Sequence, residues 1–279
     1  MSLNLYRKNN LQVSKLTTKN YSTSFSLGVR MLSKKYHDPV YSIYGFVRYA
    51  DEIVDTFHEY PQGEMLDEFI NETNKAIERK ISTNPIIDSF QKVVNEYGIE
   101  KEHIDAFLES MKMDLHHKEY GELMINQYIY GSAEVVGLMC LRVFYQNDDE
   151  TYESLKPTAR KLGEAFQKVN FLRDIQSDYY DRGRIYFPEI LNNFFTDELK
   201  KEIEPNIESD FSEAFKGIKQ LKKEARFGVY LAYIYYKGLF RKIRETRPNK
   251  VMNGRLRIQN RYKLLLLFKA YLKNTMNII

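Results

Sequence analysis

The segment from residue 160 to 188, RKLGEAFQKVNFLRDIQSDYYDRGRIYFP, limits the possible fold more than any other part of the chain. It has the periodicity of a helix that is apolar on most sides, with Leu162, Phe166, Val169, Leu172 and Ile175 at helical spacing. Within a sector of about 80° the same helix carries Gln167, Asn170, Asp174 and Asp178. A helix of this kind is buried, and buried carboxylates are costly unless another group neutralises them. A hard divalent cation is the obvious candidate.

A second segment, residues 39 to 57, repeats the pattern. Within a sector of about 80° it carries Tyr41, Tyr44, Arg48, Asp51 and Asp55, with apolar residues filling the other sides. Oxygen ligands at this spacing suit Mg²⁺, which binds through one or two carboxylates plus substrate phosphates, and an arginine can grip a phosphate. One Asp-x-x-x-Asp pair alone is also found on solvated helix faces. Two such pairs on two apolar helices predict a metal-diphosphate site between them.

Composition supports a helical protein. Thirteen Gly and seven Pro are spread thinly among long helix-period runs, and 43% hydrophobic content is ample for a core in a chain of 279 residues. Cys140 is the single cysteine, so a disulfide framework within the chain is excluded. The chain begins without an apolar signal region and has no run near the about 18 apolar residues of a membrane span. We therefore expect a cytoplasmic protein.

The charge is unevenly distributed. From Lys216 to the end there are 17 Lys or Arg against two acids, although the net charge is only +4. A basic region of this kind favours an anionic membrane surface or anionic substrates, and a solvated lysine-rich face is the alternative. No nucleic-acid motif is present, so no nucleic-acid partner is expected. The last predicted helix, from Gln259 to Leu272, is amphipathic and basic, and it either rests on lipid or closes the core.

Three stretches carry a family resemblance: YSTSFSLGVRML, YSIYGFVRYADEIVD and VNFLRDIQSDYYDRGRIYFP. They resemble the squalene and phytoene synthase family, over nearly the whole chain from Tyr21. The resemblance implies an all-α fold, with residues 1–279 forming a single-domain helical bundle of the isoprenoid-synthase type around a central apolar cavity. Relatives often have His where Tyr21 stands, so the resemblance does not extend to the contact that this one residue would make.

The resemblance also implies the roles of individual residues. The expected metal ligands are Asp51, Asp55, Asp174 and Asp178, and the other catalytic residues are Tyr44 and Tyr235. The substrate-binding residues that the resemblance implies are Ser22, Ser24, Phe25, Arg48, Gln167, Asn170 and Arg255. The position of Arg182 and Arg184 after the second aspartate pair predicts that they meet phosphate oxygens or a carboxylate of the metal site, and Arg184 is expected to bind substrate. Ser22 is equally typical of an ordinary helix N-cap. Asp114, in the family-like stretch Met111 to Leu115, is a minor candidate.

Two further expectations concern the helices around this site. Gly131, Ser132, Ala133 and Gly137 leave room in a buried helix, either for a hydrocarbon tail or for close helix packing. From Ile207 the periodicity predicts one long helix to about Thr246, with Tyr235 on it.

The implied reaction is the head-to-head condensation of two geranylgeranyl diphosphates to phytoene, through a cyclopropyl diphosphate intermediate, in carotenoid biosynthesis. Mg²⁺ is the expected cofactor with Mn²⁺ as an alternative, and no NADPH is expected for phytoene. A squalene or dehydrosqualene synthase using farnesyl diphosphate is the closest rival. A non-catalytic scaffold would be expected to lose the aspartates, and all four are present. Peripheral contact with the inner membrane surface is a further expectation, and the oligomeric state stays open.

Overall fold

The computed structural model describes residues 2–116, 120–187, 195–276 and 279, without the side chains of Glu122 and Asn260. The first six helices are α1 (Leu3–Tyr21), α2 (Thr23–Arg30), α3 (Lys34–Thr56), α4 (Gln62–Arg79), α5 (Pro85–Tyr97) and α6 (Lys101–His116). Next come α7 (Glu122–Ile129), a π-helical turn (Tyr130–Glu134), α8 (Val135–Phe144) and α9 (Asp149–Tyr180). The last four are α10 (Asp197–Gln220), α11 (Lys223–Glu245), α12 (Pro248–Val251) and α13 (Asn260–Thr275). The predicted all-α fold is confirmed.

The core consists of two apolar clusters. One lies around α3, α5 and α6, where the ring of Phe46 stacks on Phe90 at 3.8 Å and lies near Phe107. The other lies around α9, α10 and α11 and includes Phe171 and Phe211. The helix with the first aspartate pair, α3, belongs to the first cluster, and the half of α9 that carries the second pair belongs to the other. The site therefore lies where the two halves of the core meet.

The prediction of one helix from Ile207 to Thr246 is wrong. The chain adopts extended backbone at Leu221 and Lys222, which separates α10 from α11. The Lys222 amide donates to the Tyr145 hydroxyl at 3.0 Å, and the Arg226 side chain donates to the Leu221 carbonyl at 2.8 Å. These partners satisfy backbone groups that the interrupted helix leaves free.

Close packing explains one of the small residues between positions 131 and 137. A Cβ at Gly131 would lie 2.7 Å from the Ser110 side chain, because the π-helical turn presses against α6. Gly137 is less crowded, since a Cβ there would meet only the Ala159 carbonyl, at 3.4 Å. At Gly131, therefore, the structure favours the close-packing interpretation.

None of the helices in the described part of the chain combines the length and the apolar run that crossing a bilayer requires. The assignment of residues 1–279 to one domain stays a prediction.

Candidate active site

The first aspartate pair lies on α3, about 100° around the helix from the buried Ala50 and Val54. Arg48 donates to Asp51 at 2.5 Å and also pairs with Glu52. The Arg48 guanidinium stands 4.3 Å above the ring of Tyr21, a cation-π contact at the position where relatives often carry His. Arg48 thus lies beside the aspartates, as predicted, and Glu52 and the Tyr21 ring also hold its side chain in place.

Residues of α2 form the wall next to this pair. Ser22 caps the helix by accepting a hydrogen bond from the Phe25 amide at 3.2 Å, so its N-cap interpretation is confirmed. The Phe25 ring stacks on Tyr44 with centroids 4.5 Å apart, and Ser24 is half-buried one residue before Phe25. Burial raises the pKa of Tyr44 to about 12, against the opposing effect of Arg48. The Tyr44 hydroxyl is therefore protonated at neutral pH and can donate.

The second aspartate pair lies on α9. Asp174 accepts from Arg173 Nε at 2.9 Å and from Arg255 Nη2 at 3.3 Å. Arg255 Nε also lies within ion-pair distance of Asp174, at 2.8 Å. Asp178 is buried and accepts from Arg182 at 2.7 Å. One turn before the pair, Asn170 donates to Gln167 at 3.3 Å. Each of the four polar side chains predicted along this helix therefore has a polar partner.

One arginine joins the two aspartate pairs, and a second arginine binds the first pair. Arg182 contacts Asp178 at 2.7 Å and Asp55 at 3.2 Å, so one guanidinium touches a carboxylate from each pair. Arg184 donates to the other oxygen of Asp55 at 2.7 Å. Gly183, between the two arginines, has φ +65°, a conformation that a side chain disfavours, and this turn lets both arginines reach α3. The two Asp-x-x-x-Asp helices therefore share one site.

A buried carboxylate from α6 completes the cluster. Asp114 accepts from the hydroxyls of Tyr120, Tyr128 and Tyr186 at 2.9, 2.8 and 3.0 Å. It also lies 3.7 Å from Arg184, which is itself buried. Burial raises the pKa of Asp114, and Arg184 and the tyrosine hydrogen bonds oppose the rise. Sequence reasoning missed the three tyrosines, because no local pattern links residues that meet only through the fold.

Negative charge is crowded in this site. Burial, together with the neighbouring Asp55 carboxylate, raises the pKa of Asp51 to about 7. Burial raises the pKa of Asp178 to about 7 as well, with Asp174 and Asp55 adding to the effect and Arg182 opposing it. A bound cation would relieve this repulsion, and carboxylate oxygens are the donors that Mg²⁺ prefers. The donor set therefore fits the ion.

The protein does not supply a complete cation cage in the part of the chain that is described. No group of three or more His, Cys, Asp or Glu side chains there is arranged to hold a metal ion unaided. Mg²⁺ commonly binds through one or two carboxylates plus substrate phosphates and retained waters, rather than in all-protein cages. A site of this type would take the remaining ligands from a diphosphate.

The structure does not bring the Tyr235 hydroxyl to the aspartates. That hydroxyl donates to the Lys263 carbonyl of α13 at 3.0 Å. The next residue, Tyr236, points the other way: its hydroxyl donates to Asn170 at 3.3 Å, and its ring stacks on Phe166 at 3.9 Å. Adjacent residues on a helix point about 100° apart, so only one of the two can face the site.

The chain matches a known family over most of its length. The family model described as squalene/phytoene synthase matches residues 18–262. The 4,4'-diapophytoene synthase of Staphylococcus haemolyticus is 26% identical over 260 residues, covering 85% of this chain and 88% of the relative. The 15-cis-phytoene synthase of a Synechocystis strain is 26% identical over 290 residues, covering 94% and 84%. Phytoene synthase 1 of Solanum lycopersicum is 27% identical over 276 residues, but the match spans only 66% of its length.

Solved structures show the same fold. A dehydrosqualene synthase in complex with a ligand superposes with a TM-score of 0.82 at 22% identity, covering 96% of this chain and 98% of that one. A squalene synthase from Alicyclobacillus acidocaldarius superposes with a TM-score of 0.74 at 19% identity, covering 90% and 97%.

Proposed function

Because the chain belongs to the squalene/phytoene synthase family of head-to-head prenyl transferases, we propose that it condenses two geranylgeranyl diphosphates to phytoene. The reaction passes through a cyclopropyl diphosphate intermediate, and each of its two steps releases one diphosphate and one proton. Prenyl diphosphate is the substrate class of the family. No external reductant enters this balance.

One observation carries the proposal: Arg182 contacts Asp55 of α3 and Asp178 of α9 at the same time. Two carboxylate pairs that meet at one point can serve a single diphosphate leaving group. Two separate surface pairs could not. The meeting of the pairs therefore supports a diphosphate-handling site over a set of unrelated ion pairs.

In the proposed site, Asp51, Asp55, Asp174 and Asp178 hold Mg²⁺, or alternatively Mn²⁺. The bound ion supplies charge stabilisation for the departing diphosphate. Arg48 and Arg255 lie beside the carboxylates with partly exposed side chains, where they can attract a diphosphate from solution.

The remaining residues position the prenyl chain and exclude water. The stacked pair of Phe25 and Tyr44 forms an aromatic wall next to Asp51, and Tyr236 and Phe166 form a second stacked pair on the α9 side. Aromatic faces attract a neighbouring positive charge, so both pairs can stabilise an allylic carbocation. Gln167 and Asn170 add polar contacts at the diphosphate end.

A farnesyl-using enzyme is the second candidate. It is favoured by the similarity to a protein named 4,4'-diapophytoene synthase and to a solved dehydrosqualene synthase. One isoprene unit adds five carbons, or about 4 kcal/mol of burial at about 0.8 kcal/mol per carbon, and apolar pockets discriminate such differences poorly. The depth of the apolar cavity that the family resemblance implies would decide between the two substrates.

Product analysis tests the proposal. Purified protein is incubated with Mg²⁺ and equal amounts of farnesyl and geranylgeranyl diphosphate, and the hydrocarbons are identified by mass. The incubation is run with and without NADPH, because squalene, unlike phytoene or dehydrosqualene, needs a hydride donor. We expect a C40 product, which disappears when EDTA is added. A C30 product alone would support the second candidate. No hydrocarbon with either substrate, across several detergents, would contradict both.

A further inference from the structure

The outer face of α13 exposes large apolar side chains over its whole length. Six residues have between 41% and 67% of their surface exposed: Leu264, Leu265, Phe268, Tyr271, Leu272 and Met276. Their spacing places them on one continuous side of the helix, within about 140°. A contiguous apolar face of this kind marks an interaction surface, whereas single exposed leucines do not. We call these six residues the α13 outer face.

This exposure does not come from a loose helix end. The inner side of α13 packs on α11, where Gly238 lies against Leu266, and Ala270 is 1% exposed. The Tyr235 hydroxyl donates to the Lys263 carbonyl near one end of the helix, and Tyr271 contacts Phe227 near the other. The helix is therefore fixed antiparallel to α11 and is apolar on two sides. One side faces the core, and the other is left uncovered by the residues that the structure describes.

The charged side chains that α13 itself carries are all basic. Arg261, Lys269 and Lys273 are exposed on α13, and the chain contains no Asp or Glu after Glu245. On a helical projection Lys269 and Lys273 lie along one edge of the α13 outer face. Apolar side chains bordered by lysines match the interface of an anionic bilayer, where lysines reach the headgroups.

We propose that the α13 outer face docks on the surface of an anionic lipid bilayer, with the helix axis parallel to the membrane plane. A second copy of this chain fits the same face less well, because two such helices would bring only positive charges together. The membrane has the complementary charge and an apolar layer at the depth of the leucine and phenylalanine side chains.

The docking face lies close to the candidate site. Lys263 reaches the hydroxyl of Thr23 at 3.5 Å, and Thr23 lies between Ser22 and Ser24. A bilayer in contact with α13 would therefore be next to residues predicted to bind substrate. This link to prenyl-chain delivery rests on the proposed function, whereas docking itself does not.

Flotation with lipid vesicles tests the proposal, and it needs no substrate. Full-length protein is mixed with phosphatidylcholine vesicles that contain or lack phosphatidylglycerol, and the bound fraction is measured. We expect binding to the anionic vesicles and much weaker binding to the neutral ones. Phe268→Glu should lower the partition coefficient by about tenfold or more, since it removes an aromatic ring that would enter the bilayer and adds a charge that the anionic surface repels. Lys269→Glu with Lys273→Glu should reduce binding to anionic vesicles while leaving the weak binding to neutral ones.

Leu16→Glu on α1 is the matched control, because Leu16 is 59% exposed and lies outside the α13 outer face. It should bind vesicles as the wild type does. The proposal is overturned if the wild type fails to float with anionic vesicles, or if Phe268→Glu and Leu16→Glu bind equally. It is also overturned if sedimentation shows a dimer that Phe268→Glu dissociates and vesicle binding is absent.

Discussion

At the residue scale, the site depends on a chain of charges that runs from Asp114 through Arg184 to Asp55. Arg184 is buried, so it needs carboxylate partners to offset its desolvation, and it has one on each side. Asp114 is in turn held by three tyrosine hydroxyls. These contacts fix the position of Asp55 through Arg184.

Removing the charge of Asp114 tests this role. Asp114→Asn keeps the shape but leaves Arg184 with one charged partner, so Arg184 and Asp55 should lose their fixed position. We expect a loss of turnover of about tenfold or more, since breaking a buried charge pair costs several kcal/mol. Steady-state kinetics with Mg²⁺ titration should show a raised Mg²⁺ requirement. Unchanged turnover and Mg²⁺ dependence in a folded Asp114→Asn variant would remove Asp114 from the account.

The adjacent tyrosines of α11 offer a second comparison. Tyr236→Phe removes the hydroxyl that meets Asn170, while Tyr235→Phe removes the one that meets the Lys263 carbonyl. If geometry decides which tyrosine serves the site, Tyr236→Phe should lower kcat/KM by about fivefold to tenfold, the worth of one hydrogen bond. Tyr235→Phe should lower thermal stability and leave kcat/KM near the wild-type value. The reverse pattern would support the role of Tyr235 that the family resemblance implies.

At the element scale, α9 is fixed against α10 by a polar network. Lys168 contacts Glu164 at 2.5 Å and the buried Asp210 at 2.7 Å. Lys161 contacts the same two carboxylates at 2.6 and 2.9 Å. The network lies on the helix that carries Asp174 and Asp178. It therefore helps to hold that helix in place.

The pH dependence of stability follows from this network. Lys161 and Lys168 lower the pKa of Glu164, overcoming the effect of its burial. A lowered folded-state pKa gives stability that is fully present above the ordinary glutamate pKa and is lost as the pH falls through the folded-state value. Glu164→Gln should therefore cost about 1 to 2 kcal/mol of unfolding free energy near pH 7. That cost should shrink at acidic pH.

Urea unfolding of both proteins at about pH 7 and below about pH 4 measures this difference. Glu153→Gln is a suitable control, because the Glu153 pair with Lys156 is exposed and should contribute less than about 1 kcal/mol. A cost for Glu164→Gln that does not change with pH would contradict the assigned role of the charge.

At the scale of the whole molecule, helical periodicity predicted the two aspartate helices and their inward polar lines. The family resemblance predicted the fold. Periodicity could not detect the break at Leu221, because residues 218 to 227 contain neither Gly nor Pro. Nor could it choose between Tyr235 and Tyr236, which depends on how α11 is rotated against α9. The tyrosine ring around Asp114 depends on tertiary packing alone.

The central claim is that the two aspartate pairs act as one site. The most direct test measures the Mg²⁺-dependent affinity for an unreactive geranylgeranyl thiodiphosphate by calorimetry, in the wild type, Asp55→Asn, Asp178→Asn and the double variant. Asp105→Asn, an exposed aspartate on α6, is the control and should bind like the wild type.

We predict that each single variant loses about tenfold or more in Mg²⁺-dependent affinity, and that the double variant loses clearly less than the product of the two, because residues of one site couple. A shared site would be contradicted if the fold-loss in affinity of the double variant equalled the product of the two single fold-losses. It would also be contradicted if the Asp55→Asn variant bound as tightly as the wild type.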